Sequence, residues 1–171
     1  MSQTSATALI AEDEPLLAQA LQAELARAWP ALQIVATVGD GASAVAQALA
    51  LQPDVLFFDI RMPGLSGLEA AAELADQWVT DGPTGKSFPA LVFVTAYDQY
   101  AVQAFEAQAV DYVLKPVQAD RLAKTVSKLQ LALARPAQAA INMEANLEKA
   151  MAQLRALMAA PASAMVAPLT V

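Results

Sequence analysis

The sequence predicts an α/β fold, a parallel sheet with helices on both faces. Three observations carry that reading. Short apolar runs alternate five times with stretches of helical periodicity, and the connections between them are short, the pattern of a parallel sheet covered on both sides. The third run, Val55-Leu56-Phe57-Phe58, is four large apolar residues in succession, as a strand buried on both faces requires. A carboxylate, Asp59, stands at its C-terminal end, and Met62-Pro63-Gly64 then breaks the chain into a tight loop. In open parallel sheets the C-terminal strand ends are where ligands bind, so Asp59 lies where chemistry is done.

Each element has its own justification. Thr7 to Ala11 is a short apolar strand followed at once by Glu12-Asp13-Glu14. Pro15 suits a first helical turn, and Leu17, Leu21, Leu25 and Ala28 give an amphipathic helix that Trp29-Pro30 closes. Gln33 to Val38 is the second strand, with Gly39-Asp40-Gly41 as its turn. Ala42, Val45, Ala46 and Leu49 then keep helical spacing up to Pro53. Strand three runs from Asp54 to Phe58, and a helix from about Ser66 to Trp78 turns Leu68, Ala72 and Ala75 inward. Residues 81–89 form a polar loop rich in Gly and Pro. Its Gly85-Lys86-Ser87 resembles the end of a P-loop, but Thr80 occupies the place of the first glycine and the loop runs from helix to strand, so it is no nucleotide site. Ala90 to Thr95 is strand four, Asp98 to Ala107 a short helix, and Val110 to Leu114 strand five, ending in Lys115-Pro116. The helix from Asp120 to Ala134 lines up Leu122, Val126, Leu129 and Leu133.

Residues 1–135 therefore read as one domain. Residues 136–160 read as a helical extension, in which Leu147, Met151, Leu154 and Met158 are spaced 4, 3 and 4 apart, either the seam of a short coiled coil or a helix packed on its own domain. Residues 161–171 carry two prolines and no charge and read as the start of a linker.

Composition narrows the function. The chain has no Cys and no His, which excludes disulfides, thiolate or imidazole zinc sites, Ser-His-Asp and Cys-His catalysis, and self-phosphorylation on histidine. Residues 1–114 carry 3 Lys/Arg against 14 Asp/Glu, a net charge of −11, too acidic to hold nucleic acid through its phosphates. Residues 115–136 reverse the sign, with 5 basic residues against 1 acidic. No apolar run approaches the ~18 residues of a membrane-spanning helix and no signal segment opens the chain, so the expectation is a cytoplasmic protein without membrane contact.

The strand ends gather the chemistry: Glu12 and Asp13 after strand one, Asp59 after strand three, Thr95 at the end of strand four, Lys115 after strand five. Singly, each has an ordinary alternative as a helix cap, a β-favouring residue or a solvated charge. Together, three carboxylates, a hydroxyl and an ammonium converge on one sheet edge. Crowded carboxylates repel one another without a cation, and a donor set of oxygen alone points to Mg²⁺ rather than zinc.

With these motifs in place, the sequence resembles the receiver domain of two-component response regulators over residues 7 to about 134. Five motifs occur in order: Glu12-Asp13, Asp59 with Met62-Pro63-Gly64, Thr95-Ala96, Tyr112, and Lys115-Pro116. Residues 94–102, Phe105 and residues 110–116 are most similar to LytTR-type (LytR/AlgR-like) regulators. The resemblance implies a flavodoxin-like (βα)5 sheet of order 2-1-3-4-5, with Asp59 accepting a phosphoryl group from a sensor histidine kinase. It implies that Asp13, Asp59 and the Arg61 backbone carbonyl hold Mg²⁺, with Glu12 acting through water. Lys115 and Thr95 then contact the phosphoryl oxygens, and Tyr112 is the aromatic that moves with Thr95. It also implies a cis Lys115–Pro116 bond, a homodimer on phosphorylation, and contact with DNA only through an output domain absent from this chain, which then reads as a fragment ending in its linker. Two departures stand out: Glu12 where many receivers have Asp, and a longer loop at 79–89. A haloacid-dehalogenase-type phosphatase would need an Asp at position 61, which is Arg61. A stand-alone or never-phosphorylated interaction module is the remaining alternative.

Overall fold

The computed structural model describes residues 5–78 and 87–134, together with Met151, Ala152 and Arg155. Five strands and five helices alternate: β1 (Thr7–Ala11), α1 (Pro15–Ala28), β2 (Gln33–Val38), α2 (Gly41–Leu51), β3 (Val55–Phe58), α3 (Gly67–Gln77), β4 (Ala90–Thr95), α4 (Ala101–Glu106), β5 (Asp111–Leu114) and α5 (Ala119–Ala134). All strand pairs are parallel and the order is β2-β1-β3-β4-β5, the flavodoxin-like topology.

Period-two alternation divides the core between the two faces of the sheet. Leu9, Leu56, Phe58, Leu91 and Phe93 point to one layer, where Ala44 and Ala48 of α2, Ala70 and Leu74 of α3 and Ala104 of α4 cover them. Ile10, Val55, Phe57, Val92, Val94 and Val113 point to the other, against Leu21 and Leu25 of α1 and Leu122, Val126 and Leu129 of α5. β1, β3 and β4 are thus covered on both sides, and their C-terminal ends are held rigidly side by side.

The helix starts are chemically defined. Pro15 opens α1. The Asp40 carboxylate accepts from Ser43 N at 2.7 Å to cap α2. Ser66 and Glu69 form a reciprocal capping box on α3, with bonds of 3.1 and 2.9 Å.

Several expected details are corrected. In α3 the buried face is Gly67, Ala70, Ala71 and Leu74, while Ala72 and Ala75 are exposed. In α2, Ala44 and Ala48 are buried beside Val45, and Ala42 and Ala46 face solvent. Both helices are alanine-rich, and a methyl group reports helical phase weakly. Leu17 of α1 is exposed, and Ala18 takes its place in the core. β3 begins at Val55, and the Asp54 carboxylate just before it accepts from Thr7 N at 2.8 Å. β5 begins at Asp111. α4 is shorter than expected, since residues 98–100 form a turn in which the Asp98 carbonyl accepts from Ala101 N at 3.3 Å. Met151, Ala152 and Arg155 are helical, but Leu147, Leu154 and Met158 of the expected seam, the residues after 155 and the 79–86 loop lie outside the described residues.

Candidate functional site: an acidic cluster at the strand ends

Four of the five strands, β1, β3, β4 and β5, deliver the site. β1 ends into Glu12 and Asp13, and Glu12 N donates to the Val38 carbonyl at 2.8 Å, extending the sheet by one residue. Asp59 N donates to the Ala11 carbonyl at 2.9 Å, so the ends of β1 and β3 stay in register up to their acidic residues. One carboxylate oxygen from each of Glu12, Asp13 and Asp59 lies within 4.8 Å of the others. Glu12 and Asp59 are buried, at 7% exposure each, and Asp13 is exposed.

Lys115 closes the cluster. Its backbone N donates to the Thr95 carbonyl at 2.8 Å, and the Lys115–Pro116 bond is cis, as the resemblance implies. Its Nζ donates to Asp59 Oδ2 at 2.7 Å and also to Glu12 Oε1. The second oxygen of each acid is held by backbone: Ile60 N donates to Asp59 Oδ1 at 2.7 Å, and Glu14 N to Glu12 Oε2 at 3.1 Å. One ammonium therefore pairs with two carboxylates of a cluster of three. Burial pushes the Glu12 carboxyl above its ordinary value, with the Asp59 charge adding to the rise and the Lys115 bond opposing it. Burial alone would lower the Lys115 pKa, but its bonds to Asp59 and Glu12 outweigh it and raise the value. Burial thus dominates the rise at Glu12, and the paired carboxylates dominate the rise at Lys115.

This donor set suits Mg²⁺. It is hard, anionic and all oxygen, it is open to solvent on the Asp13 side, and it is under-neutralised by its own lysine.

Thr95 is fully buried at the end of β4, and its Oγ1 accepts weakly from Tyr97 N at 3.4 Å. Tyr112 is half-buried on β5, and its hydroxyl donates to the Tyr97 carbonyl. Arg61 is exposed on the loop after Asp59, with its guanidinium 4.9 Å from the centre of the Tyr97 ring. The structure thus brings Glu12, Asp13, Asp59 and Lys115 into one cluster and places Thr95, Tyr112 and Arg61 around Tyr97. Sequence reasoning missed Tyr97 as the residue joining these parts. It also missed Gly67, whose Cα packs on the Asp59 carbonyl. A tyrosine two residues after the Thr95 motif was the only available signal for the first, and nothing marked the second.

The geometry agrees with the comparisons to known proteins. The response regulator receiver domain family matches residues 8–127. An uncharacterized response regulatory protein of Vibrio cholerae is 48% identical over 135 residues, covering 79% of this chain and 48% of the relative. The transcriptional regulatory protein BtsR of Salmonella typhi is 39% identical over 122 residues, covering 71% of this chain and 47% of BtsR. The chain thus spans about half the length of these curated relatives. The crystal structure of the response regulatory domain of protein mrkE from Klebsiella pneumoniae superposes with a TM-score of 0.65 at 32% identity, covering 75% of this chain and 98% of that domain. Among the described residues no helix is long and apolar enough to cross a membrane. With the motif order, the sheet order and the acidic cluster in agreement, this chain belongs to the response regulator receiver domain family, whose members are signalling domains that interact with histidine kinases rather than metabolic enzymes.

Proposed function

We propose that residues 1–135 accept a phosphoryl group on Asp59 from the phosphohistidine of a sensor kinase. The observation that carries this reading is the cluster of Glu12, Asp13 and Asp59 oxygens within 4.8 Å beneath one lysine. A carboxylate oxygen of Asp59 forms the new P–O bond as the P–N bond to the kinase imidazole breaks. The bonding pair leaves on nitrogen and an acyl phosphate remains. Asp13, Asp59 and the Arg61 carbonyl would hold Mg²⁺, with Glu12 acting through water, and the ion would supply positive charge to the phosphoryl oxygens. Lys115 moves its charge-assisted bond from Glu12 and Asp59 to the phosphoryl group. The Thr95 hydroxyl donates to another phosphoryl oxygen.

Thr95 and Tyr112 form the switch. The Tyr112 hydroxyl is engaged by the Tyr97 carbonyl, and Tyr97 N by Thr95 Oγ1, so drawing Thr95 toward a phosphoryl oxygen disturbs the bond that holds Tyr112 outward. The affected face is a shallow groove between α4, β5 and α5, lined by Asp98, Ala101, Tyr112, Leu114, Arg121 and Lys124. Leu114 is exposed there beside basic and acidic groups, which suits a homodimer formed on phosphorylation. The likeness to a transcriptional regulatory protein of about twice the matched length supports an output domain that controls transcription. The resemblance of residues 94–102, Phe105 and residues 110–116 to LytTR-type regulators makes it a LytTR-type DNA-binding domain, reached through residues 136–160 and 161–171. Residues 1–135 and 1–171, sedimented with and without beryllofluoride, test the tail: equal association constants for both would leave it a passive connection.

The nucleophile is tested with acetyl phosphate in Mg²⁺. Wild-type chain acquires one acid-stable, hydroxylamine-sensitive phosphate, and Asp59→Asn acquires none, because Asn is nearly isosteric but not nucleophilic. Stoichiometric labelling of Asp59→Asn would sink the assignment.

A further inference from the structure

Gly67, the first residue of α3, is far from the phosphoryl chemistry in sequence yet lies directly on the backbone that carries Asp59. A Cβ at Gly67 would stand 2.0 Å from the Asp59 carbonyl oxygen, 2.9 Å from its carbonyl carbon and 3.1 Å from the Ile60 Cα. All three atoms are backbone, so no flexible side chain can yield. Gly67 does not have a positive φ, and conformational freedom is therefore not what selects it. Its need is close approach. The contact is reinforced by Gly67 N donating to the Ile60 carbonyl at 2.8 Å.

The atoms pressed by Gly67 belong to the Asp59–Ile60 peptide. The N–H of the same planar unit, Ile60 N, donates to Asp59 Oδ1 at 2.7 Å. A rigid peptide cannot tilt at its carbonyl without tilting its N–H. We infer that Gly67 is a positioning residue for the phosphoryl acceptor: its missing side chain fixes the Asp59–Ile60 peptide plane, and that plane aims the Asp59 carboxylate by holding Oδ1 while Oδ2 faces Lys115. The inference rests on the reading of Asp59 as the phosphoryl acceptor.

The same loop supplies a matched control. Gly41, the first residue of α2, presses on it from the other side: a Cβ there would meet the Leu65 carbonyl oxygen at 2.3 Å and its Cβ at 2.5 Å. Gly41 is also buried and also opens a helix, but Leu65 makes no bond to the Asp59 carboxylate among those described. A general loosening of the loop would affect both variants. Misdirection of Asp59 affects only one.

The experiment compares the full chain with Gly67→Ala and Gly41→Ala. Each is scored by melting temperature, by the rate of labelling with acetyl phosphate at saturating Mg²⁺, and by the Ile60 amide resonance in metal-free buffer. Gly67→Ala is expected to label about tenfold or more slowly, as misplacement of a reacting group by a fraction of an ångström implies. Its Ile60 amide proton is expected to move upfield as its bond to the carboxylate weakens. Gly41→Ala is expected to stay within about threefold of wild type, with its Ile60 resonance unmoved, although its melting temperature falls by a similar amount. Equal slowing in both variants overturns the inference, as does an unmoved Ile60 resonance in Gly67→Ala. If Gly67→Ala does not fold in water, the measurement is repeated in trimethylamine N-oxide, which favours the compact state. Failure to fold even there also overturns the inference, because the glycine would then be a requirement of the fold. Failure of the underlying reading is separate: wild type itself would not label, or Asp59→Asn would label equally.

Discussion

At the start of β5, Asp111 is buried to 4% exposure, and at its end Lys115 reaches two carboxylates buried to 7% each. Both ends bury carboxylates against cations, yet they are built differently. Asp111 is saturated: Oδ1 accepts from Tyr112 N at 2.8 Å and Arg121 Nη2 at 2.7 Å, and Oδ2 accepts from Arg121 Nη1 and Thr125 Oγ1, each at 2.7 Å. Lys128 stands a further 3.5 Å away. Burial alone would raise the Asp111 carboxyl, but the bonds from Arg121, Thr125 and Tyr112 outweigh it and hold the value below the ordinary one. At the other end, Glu12 is pushed upward. Two cations and a hydroxyl serve a single carboxylate in one cluster, whereas in the other a single ammonium pairs with two carboxylates of a group of three. The first is a clamp joining α5 to β5, and the second is a site with unspent negative charge.

The comparison is sharpened most by the same substitution at each end. Asp111→Asn should destabilise the protein by about 2 kcal/mol, because it leaves Arg121 with half of a bidentate partner beside buried Thr125; partial exposure of Arg121 keeps the loss below that of a fully buried pair. Urea denaturation measures it, and a loss below about 0.5 kcal/mol would show that the clamp is ornamental.

Asp59→Asn should move stability the other way, upward by about 1 kcal/mol in metal-free buffer. The Asp59 charge is attracted by one ammonium but repelled by two carboxylates, and it is buried. Asn keeps an acceptor for Ile60 N, and Lys115 keeps Glu12. An unchanged or lower melting temperature would mean that Lys115 already neutralises the cluster. Saturating Mg²⁺ should raise wild type more than Asp59→Asn and so narrow the difference.

The two clusters were unequally legible in the sequence. Glu12, Asp13, Asp59, Thr95 and Lys115 could be named because each ends or follows an apolar strand, and parallel topology sends every such end to one edge. Asp111 could not, because an acid at the first residue of a strand looks like a turn residue, and its partner lies ten residues away on α5. The helix phases of α2 and α3 were misjudged where alanine carried the pattern, while α5, marked by Leu122, Val126 and Leu129, was read correctly. Close backbone approach at Gly67 leaves no trace in hydrophobic periodicity at all.

The smallest effect separates the clusters by pH. Glu12 has a native pKa above its ordinary 4.5, so its ionised form is disfavoured in the folded chain. As pH falls through that native value toward 4.5, the folded state takes up a proton that the unfolded state does not, and Glu12 contributes increasing stability. Asp111 behaves oppositely. Its native pKa lies below 3.8, so its contribution is complete above that value and is lost as pH falls through the native one. The two windows do not overlap. In metal-free buffer, wild type should therefore gain stability relative to Glu12→Gln as pH falls from neutral toward 4.5, whereas its advantage over Asp111→Asn should stay constant there and shrink only below 3.8. Melting temperatures of the three proteins across this range decide the matter. A constant gap between wild type and Glu12→Gln from neutral pH down to 4.5 would show that Lys115 satisfies Glu12 as fully as Arg121 satisfies Asp111, and the contrast between the two ends of β5 would fail.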